Sequence, residues 1–236
     1  MQMMVIAVDV DGTLYDGVGV DEAAVEALRD ARQDGHTIVI VTGRRWEHLG
    51  HVVPTILELA DSAVCEEGGV LVDLRSSTAV GVAQLTLLAE PAEPRLVAAL
   101  GAAGVTGLDV GRVVVGAPTA TLATVTRIRD DVGSNRLIIT NKGSIALTPR
   151  ACDKGSGLRA ALSALQLEHL PVLAIGDAEN DLAMFAVATI AVGVANADDA
   201  VRASGVQLTQ AASGLGVAEA LRRFLPQRSE VLHCVF

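Results

Sequence analysis

Aromatic residues are nearly absent from this 236-residue chain, at 2%: one Trp, one Tyr and three Phe. So few π-faces cannot build a base-stacking surface, and a net charge of −10 offers no cationic track for a phosphate backbone, so no nucleic-acid partner is expected. Cysteine is equally sparse. Cys65, Cys152 and Cys234 are odd in number and widely spaced, which argues against a disulfide framework or a zinc knuckle. They are expected to be reduced thiols, in keeping with a cytoplasmic enzyme. Long apolar runs are missing too. Half of the residues are hydrophobic and the mean hydropathy is +0.43. Even so, the longest uncharged stretch, 182–197, falls short of the ~20 residues a spanning helix needs and is interrupted by Gly193 and Asn196. No Lys or Arg precedes the first apolar run, so neither a signal peptide nor a membrane partner is expected. Lysine is the scarcest charged type: 16 Arg stand beside only two Lys.

What is present begins at Val5-Ile6-Ala7-Val8-Asp9-Val10-Asp11-Gly12-Thr13-Leu14. A short apolar run of buried-strand length ends on two aspartates one residue apart, followed by a glycine turn. Residues i and i+2 of a strand share a side, so Asp9 and Asp11 can converge past its carboxyl end, where open parallel sheets place their ligands. Crowded carboxylates repel, and a divalent cation or a shared proton between them relieves that. Further along, Thr37–Val41 reads as a strand running into Thr42-Gly43-Arg44, and Val172–Ile175 as another running into Gly176-Asp177-Ala178-Glu179-Asn180-Asp181. The segment 22–33 has apolar residues at helical spacing, with Gly35 beyond it as a stop. Alternating strands and helices predict an α/β fold: a doubly wound, mostly parallel sheet.

These motifs, with Asp153-Lys154-Gly155 opening a helix, resemble in kind and order those of the haloacid dehalogenase superfamily of phosphotransferases, whose first motif reads Asp-x-Asp-Gly-Thr. The resemblance spans positions 9 to 181. It implies a Rossmann-like core in which Asp9 is the nucleophile and forms an aspartyl-phosphate, and Asp11 is the general acid and base. Mg2+ is the expected cofactor, held by Asp9, the backbone oxygen of Asp11 and Asp177, with Asp181 in support. Thr42 and Lys154 complete the catalytic set. Gly12, Thr42, Gly43, Arg44, Lys154 and Asn180 are expected to contact the substrate, a small phosphorylated metabolite. A lysine in so arginine-rich a chain fits a site wanting a compact ammonium between a carboxylate and phosphate oxygens. For Asn180, contact with the phosphate, positioning of Lys154 and simple capping all stay open.

The long gap between Thr42 and Lys154 is expected to hold a smaller α/β cap over 81–148, inserted into a core formed by 1–80 and 149–236. Within it, helices are read around 95–103 and 119–131, a strand around 112–115, and a hairpin over 136–147 turning at Asn141-Lys142-Gly143. Residues 46–59 read as one helix. The segment from Gly81 to Thr148 carries a net +1 against −11 for the rest, an arginine-bearing unit suited to meeting an anionic substrate. A cap at this position marks the subclass containing sugar-phosphate phosphatases, archaeal-type phosphoglycolate phosphatases, sucrose-phosphate phosphatase and phosphomannomutase. The leading expectation is a phosphatase for a sugar phosphate, acting as monomer or homodimer, with a phosphomutase or a non-catalytic phospho-accepting domain as alternatives. Trp46 is placed either against a sugar or under the lobe junction. His48 and His51 have metal-compatible spacing but no third ligand. Glu66-Glu67-Gly68 stands where many capped members have Glu-Asn-Gly, a departure that leaves the hinge geometry open.

Overall fold

The computed structural model describes residues 2–75, 83–141 and 143–225. Lys142, Cys234 and the expected cap boundary at residue 81 lie outside them. Along the chain run β1 (Val5–Val8), α1 (Glu22–Gln33), β2 (Thr37–Val41), α2 (Trp46–Val52), α3 (Pro54–Leu59), β3 (Ser62–Cys65), β4 (Val70–Asp73) and β5 (Gln84–Leu87). Then come α4 (Pro94–Ala102), β6 (Asp109–Val110), β7 (Val115–Pro118), α5 (Leu122–Asp131), β8 (Leu137–Asn141) and β9 (Ser144–Thr148). The chain continues through α6 (Lys154–Leu165), β10 (Val172–Gly176), α7 (Leu182–Phe185), β11 (Ile190–Gly193), α8 (Asp199–Ala203), β12 (Gln207–Leu208) and α9 (Ser213–Phe224).

The large sheet has the order β12-β11-β10-β1-β2-β3-β4-β5, parallel from β12 through β3 and antiparallel at β4 and β5. Its central strands are buried on both faces, which explains their unbroken apolar runs. Even-numbered Ile6, Val8, Ile38 and Ile40 pack with Leu28 of α1 and Val217 of α9, whereas odd-numbered Val5, Ala7, Val39 and Val41 pack with Leu158 and Leu162 of α6 and with Met184. A second, antiparallel sheet, β6-β7-β9-β8, encloses its own core with Leu96, Leu100 and Val125 from α4 and α5. No described helix is long and apolar enough to cross a membrane.

Three local expectations change. Residues 46–59 form two helices, because Pro54 cannot continue α2 and instead starts α3. Gln84–Leu87, for which no strand was expected, adds β5 to the large sheet beside β4. The strand read around 112–115 starts only at Val115, for a definite reason: the amides of Arg112, Val113 and Val114 donate to the Glu66 carboxylate at 3.1, 2.8 and 3.0 Å instead of to a strand ladder.

That contact ties the two units together. Glu66 is buried, at a left-handed φ of 53°, and Gly111 must be glycine because a Cβ there would lie 2.3 Å from Glu66 Oε2. Buried Arg136 reinforces the join by donating to the carbonyls of Val113, Leu147, Glu90 and Pro91. Glu66→Ala would orphan three backbone N–H groups at once, and amide bonds to a charged acceptor contribute about 1.5–3 kcal/mol each. A loss of at least ~3 kcal/mol is expected in urea unfolding, with faster hydrogen exchange concentrated at residues 111–115.

Candidate active site

The parallel strands deliver their following residues to one edge. Asp9 follows β1, Thr42 follows β2 and Asp177 follows β10, with β1 lying between the other two. The fourth contribution comes from α6. Asp153 caps it, accepting from Ser156 N at 2.6 Å while Ser156 Oγ accepts from Asp153 N, and this capping box sets Lys154 at the first helical position.

Lys154 is 2% exposed, and its Nζ donates to Asp9 Oδ1 at 2.7 Å and to Asp181 Oδ1 at 2.5 Å. Burial alone would lower the lysine's pKa, but the charges of Asp181, Asp9 and Glu67 hold it well above the ordinary value. Burial pushes the Asp9 carboxyl up to about 8; Lys154 opposes that rise, and the like charges of Asp181 and Asp177 add to it. Asp181 Oδ2 accepts from the amides of Asp177 and Ala178, closing the loop after β10 on itself. Asp177 accepts from the Thr13 hydroxyl at 3.2 Å. Oxygens of Asp9, Asp177 and Asp181 all lie within 4.8 Å of one another, the group among the described residues best able to hold a metal ion. An all-oxygen set of crowded, buried carboxylates fits a hard divalent cation, which would relieve the repulsion felt by Asp9.

Asp11 sits outside this group and its side chain is partly exposed, gripped by Arg44 through Nε–Oδ2 at 2.7 Å and Nη2–Oδ1 at 2.6 Å. Arg44 thus engages Asp11, with Tyr15 under its guanidinium at 5.6 Å. Thr42 is fully buried and its Oγ1 accepts from Arg44 N at 3.1 Å; Gly43 and Arg44 form the cavity wall there. The Gly12 carbonyl accepts from Asn196 Nδ2 and Ser213 Oγ, which fixes the turn after Asp11. Asn180 donates through Nδ2 to both Glu67 oxygens, at 3.2 and 3.0 Å.

Above these groups lies a cavity of about 620 Å³ between the two units, walled on one side by Asp9, Asp11, Arg44, Lys154 and Asn180 and on the other by β7, β8 and β9. The arginines of the inserted unit are not on its wall. Arg95 pairs with Glu93, Arg112 with Glu47, Arg127 with Asp131 and Arg129 with Asp130, while Arg136 is buried on carbonyls. The expectation that these arginines meet an anionic substrate is therefore corrected: they were counted correctly, but local carboxylates use them. Trp46 packs against the main core. His48 accepts from Arg45 and lies 4.0 Å from Asp109, and His51 belongs to no metal-capable group among the described residues. Cys152 is a buried thiol raised to about 12, chiefly by burial, and points at the Glu67 carbonyl. Glu66, Glu67 and Asp109 line the cavity without having been singled out as site residues; only the Glu-Glu-Gly departure marked the first two.

A core of this topology with paired aspartates after its central strand, an acidic loop after the neighbouring strand and a lysine on a helix start defines a class. The sequence profile of haloacid dehalogenase-like hydrolases matches residues 6–86 and 113–221, and the chain belongs to that family, among its phosphatases. It is 35% identical over 225 residues to a phosphoglycolate phosphatase of Methanothermobacter thermautotrophicus, covering 94% of this chain and 99% of the relative. Among solved structures, a haloacid dehalogenase-like hydrolase from Bacteroides thetaiotaomicron superposes with a TM-score of 0.77 at 18% identity, over 95% of this chain and 100% of that one. A subclass IIB sugar phosphatase superposes with a TM-score of 0.70 at 16% identity, over 94% and 98%.

The raised Asp9 carboxyl has a consequence for stability. A folded-state pKa above the unfolded one contributes stability below pH ~4 that is lost as pH rises towards 8. In chelator, Asp9→Asn should therefore gain melting temperature relative to wild type as pH is raised from 5 to 8, and Mg2+ should narrow that gap by stabilising the wild type. Melting curves across pH, with and without the ion, check this.

Proposed function

We propose that this phosphatase is Mg2+-dependent and hydrolyses the monoester of a small metabolite, a sugar phosphate first among them, through an aspartyl-phosphate on Asp9. The observation that carries the reading is the buried Asp9–Lys154–Asp181 arrangement on the wall of a cavity large enough for a whole metabolite. A phosphoryl group repels anionic nucleophiles, and Mg2+ held by Asp9, the Asp11 carbonyl and Asp177 would offset that charge. The residues do the rest. Lys154 holds the Asp9 carboxylate in one orientation with Oδ1 engaged, leaving Oδ2 for attack on phosphorus. Splitting the displacement into transfer to Asp9 and release to water replaces one difficult step by two easier ones. Asp11 hands a proton to the leaving oxygen and takes one from water in the second step; both its oxygens accept from Arg44, so one must leave the guanidinium and take up a proton from solvent before the first step. Thr42 and Gly43 supply hydrogen-bond donors to the phosphoryl oxygens. The relatives named for phosphoglycolate and the neighbour named for sugar support a phosphorylated metabolite and leave the leaving group as the variable part.

Intact protein with Mg2+ is expected to release one phosphate per ester consumed, across a panel of phosphorylated metabolites; isomer as the main product would make it a mutase. Asp9→Asn should lose at least ~10³-fold in kcat while melting as a folded protein. Chelation should silence the enzyme and Mg2+ restore it, with Ca2+ a poor substitute because its looser shell does not hold in-line geometry. Asp177→Ala should raise the Mg2+ requirement or abolish turnover.

A further inference from the structure

Every described cation on the cavity wall already has a carboxylate. Lys154 holds Asp9 and Asp181, Arg44 holds Asp11, and Arg45 lies 2.7 Å from Asp109. Opposite them, the inserted unit offers Gly107, Gly116, Ala117, Pro118, Ile139 and Ile145, small and uncharged. The wall instead has spare acceptors. Glu67 stands on it at 7% exposure with a left-handed φ of 55°, and its Oε1 presses so closely on Gly43 that a Cβ there would approach to 2.2 Å. A carboxylate only accepts, so Glu67 dictates that Asn180 turns its NH2 towards it. That leaves Asn180 Oδ1 buried and without a hydrogen-bond partner.

We propose that Glu67, together with Asp109, is a specificity determinant that makes this cavity reject phosphate esters whose leaving group carries a second negative charge. The inference rests on the phosphatase reading above and narrows its substrate class. A carboxylate or second phosphate on the leaving group meets Glu67 and Asp109 with no unpaired cation among the described residues to receive it, and like charges brought together in a confined site repel. A neutral hydroxylated leaving group meets the opposite situation: its O–H groups donate to Glu67 and Asp109, and its C–H faces rest on the apolar side. Position 67 is also where the chain departs from Glu-Asn-Gly, so the rejecting charge is a property of this sequence.

Two esters that differ only in this respect decide the matter: glycerol 3-phosphate, ending in CH2OH, and 3-phosphoglycerate, ending in a carboxylate. Each is measured as a competitive inhibitor of p-nitrophenyl phosphate hydrolysis by the full-length protein with saturating Mg2+, so that the comparison does not require either to be turned over. Wild type is expected to bind the neutral ester at least about tenfold more tightly. Glu67→Gln should close most of that gap by tightening 3-phosphoglycerate, with the neutral ester changing less than about threefold, and Asp109→Asn should move the ratio in the same direction by releasing Arg45. Equal or preferential binding of 3-phosphoglycerate by wild type overturns the proposal, whether or not the variants fold. A tenfold wild-type preference that survives unchanged in folded Glu67→Gln and Asp109→Asn overturns the assignment to these residues. Failure of wild type to hydrolyse p-nitrophenyl phosphate at all would instead remove the phosphatase reading beneath it.

Discussion

The arrangement of the core depends on one buried ammonium. Lys154 occupies the first turn of α6, the end of a helix where the backbone dipole disfavours a cation, and it is removed from water as well. Only the carboxylates of Asp9 and Asp181 make that position tenable, and they in turn would repel each other without it. This reciprocity fixes where β1, the loop after β10 and the start of α6 sit relative to one another. It also explains the closed geometry of the loop, where Asp181 spends its second oxygen on the amides of Asp177 and Ala178. A metal ion joining Asp9 and Asp177 would add a second cation to a group that one cation leaves partly uncompensated.

Much of this was legible in the sequence because it is local. The runs Val5–Val8, Thr37–Val41 and Val172–Gly176 are strands whose polar successors reach the same edge by topology alone. What was not legible depends on partners far apart in the chain. Nothing near Glu66 announces that its carboxylate will collect the amides of residues 112–114, and nothing near Val113 announces that those amides will leave the ladder. The same holds for Arg44, whose fork goes to Asp11, and for Asn180, whose amide goes to Glu67. The break before α3 was there to be read in Pro54, since a proline at that position favours a new helix over the old one's continuation.

The charge count of the inserted unit teaches a related lesson. Its near-neutral balance reads, in sequence, as a cationic contrast with an acidic body. In the fold, its arginines are matched to carboxylates beside them or set on carbonyls, and those nearest the core reach across to it. Composition reports how many charges a segment has; whether any is free to meet a ligand depends on partners that only the tertiary structure supplies.

Those pairings also make the contacts that join the units unequal in strength. Glu66 and Arg136 are buried, and each engages several backbone groups that would be orphaned by separation. Beside them, Arg45 meets Asp109 and Arg112 meets Glu47, with side chains between 29% and 52% exposed. Exposed pairs of this kind contribute about 0–1 kcal/mol each, because water replaces the partner almost as well. Separation of the units is therefore resisted strongly by the buried Glu66 and Arg136 and only weakly by these ion pairs. The Arg45–Asp109 pair also lies on the cavity wall, so a leaving group meets it there as an ion pair rather than as a free cation.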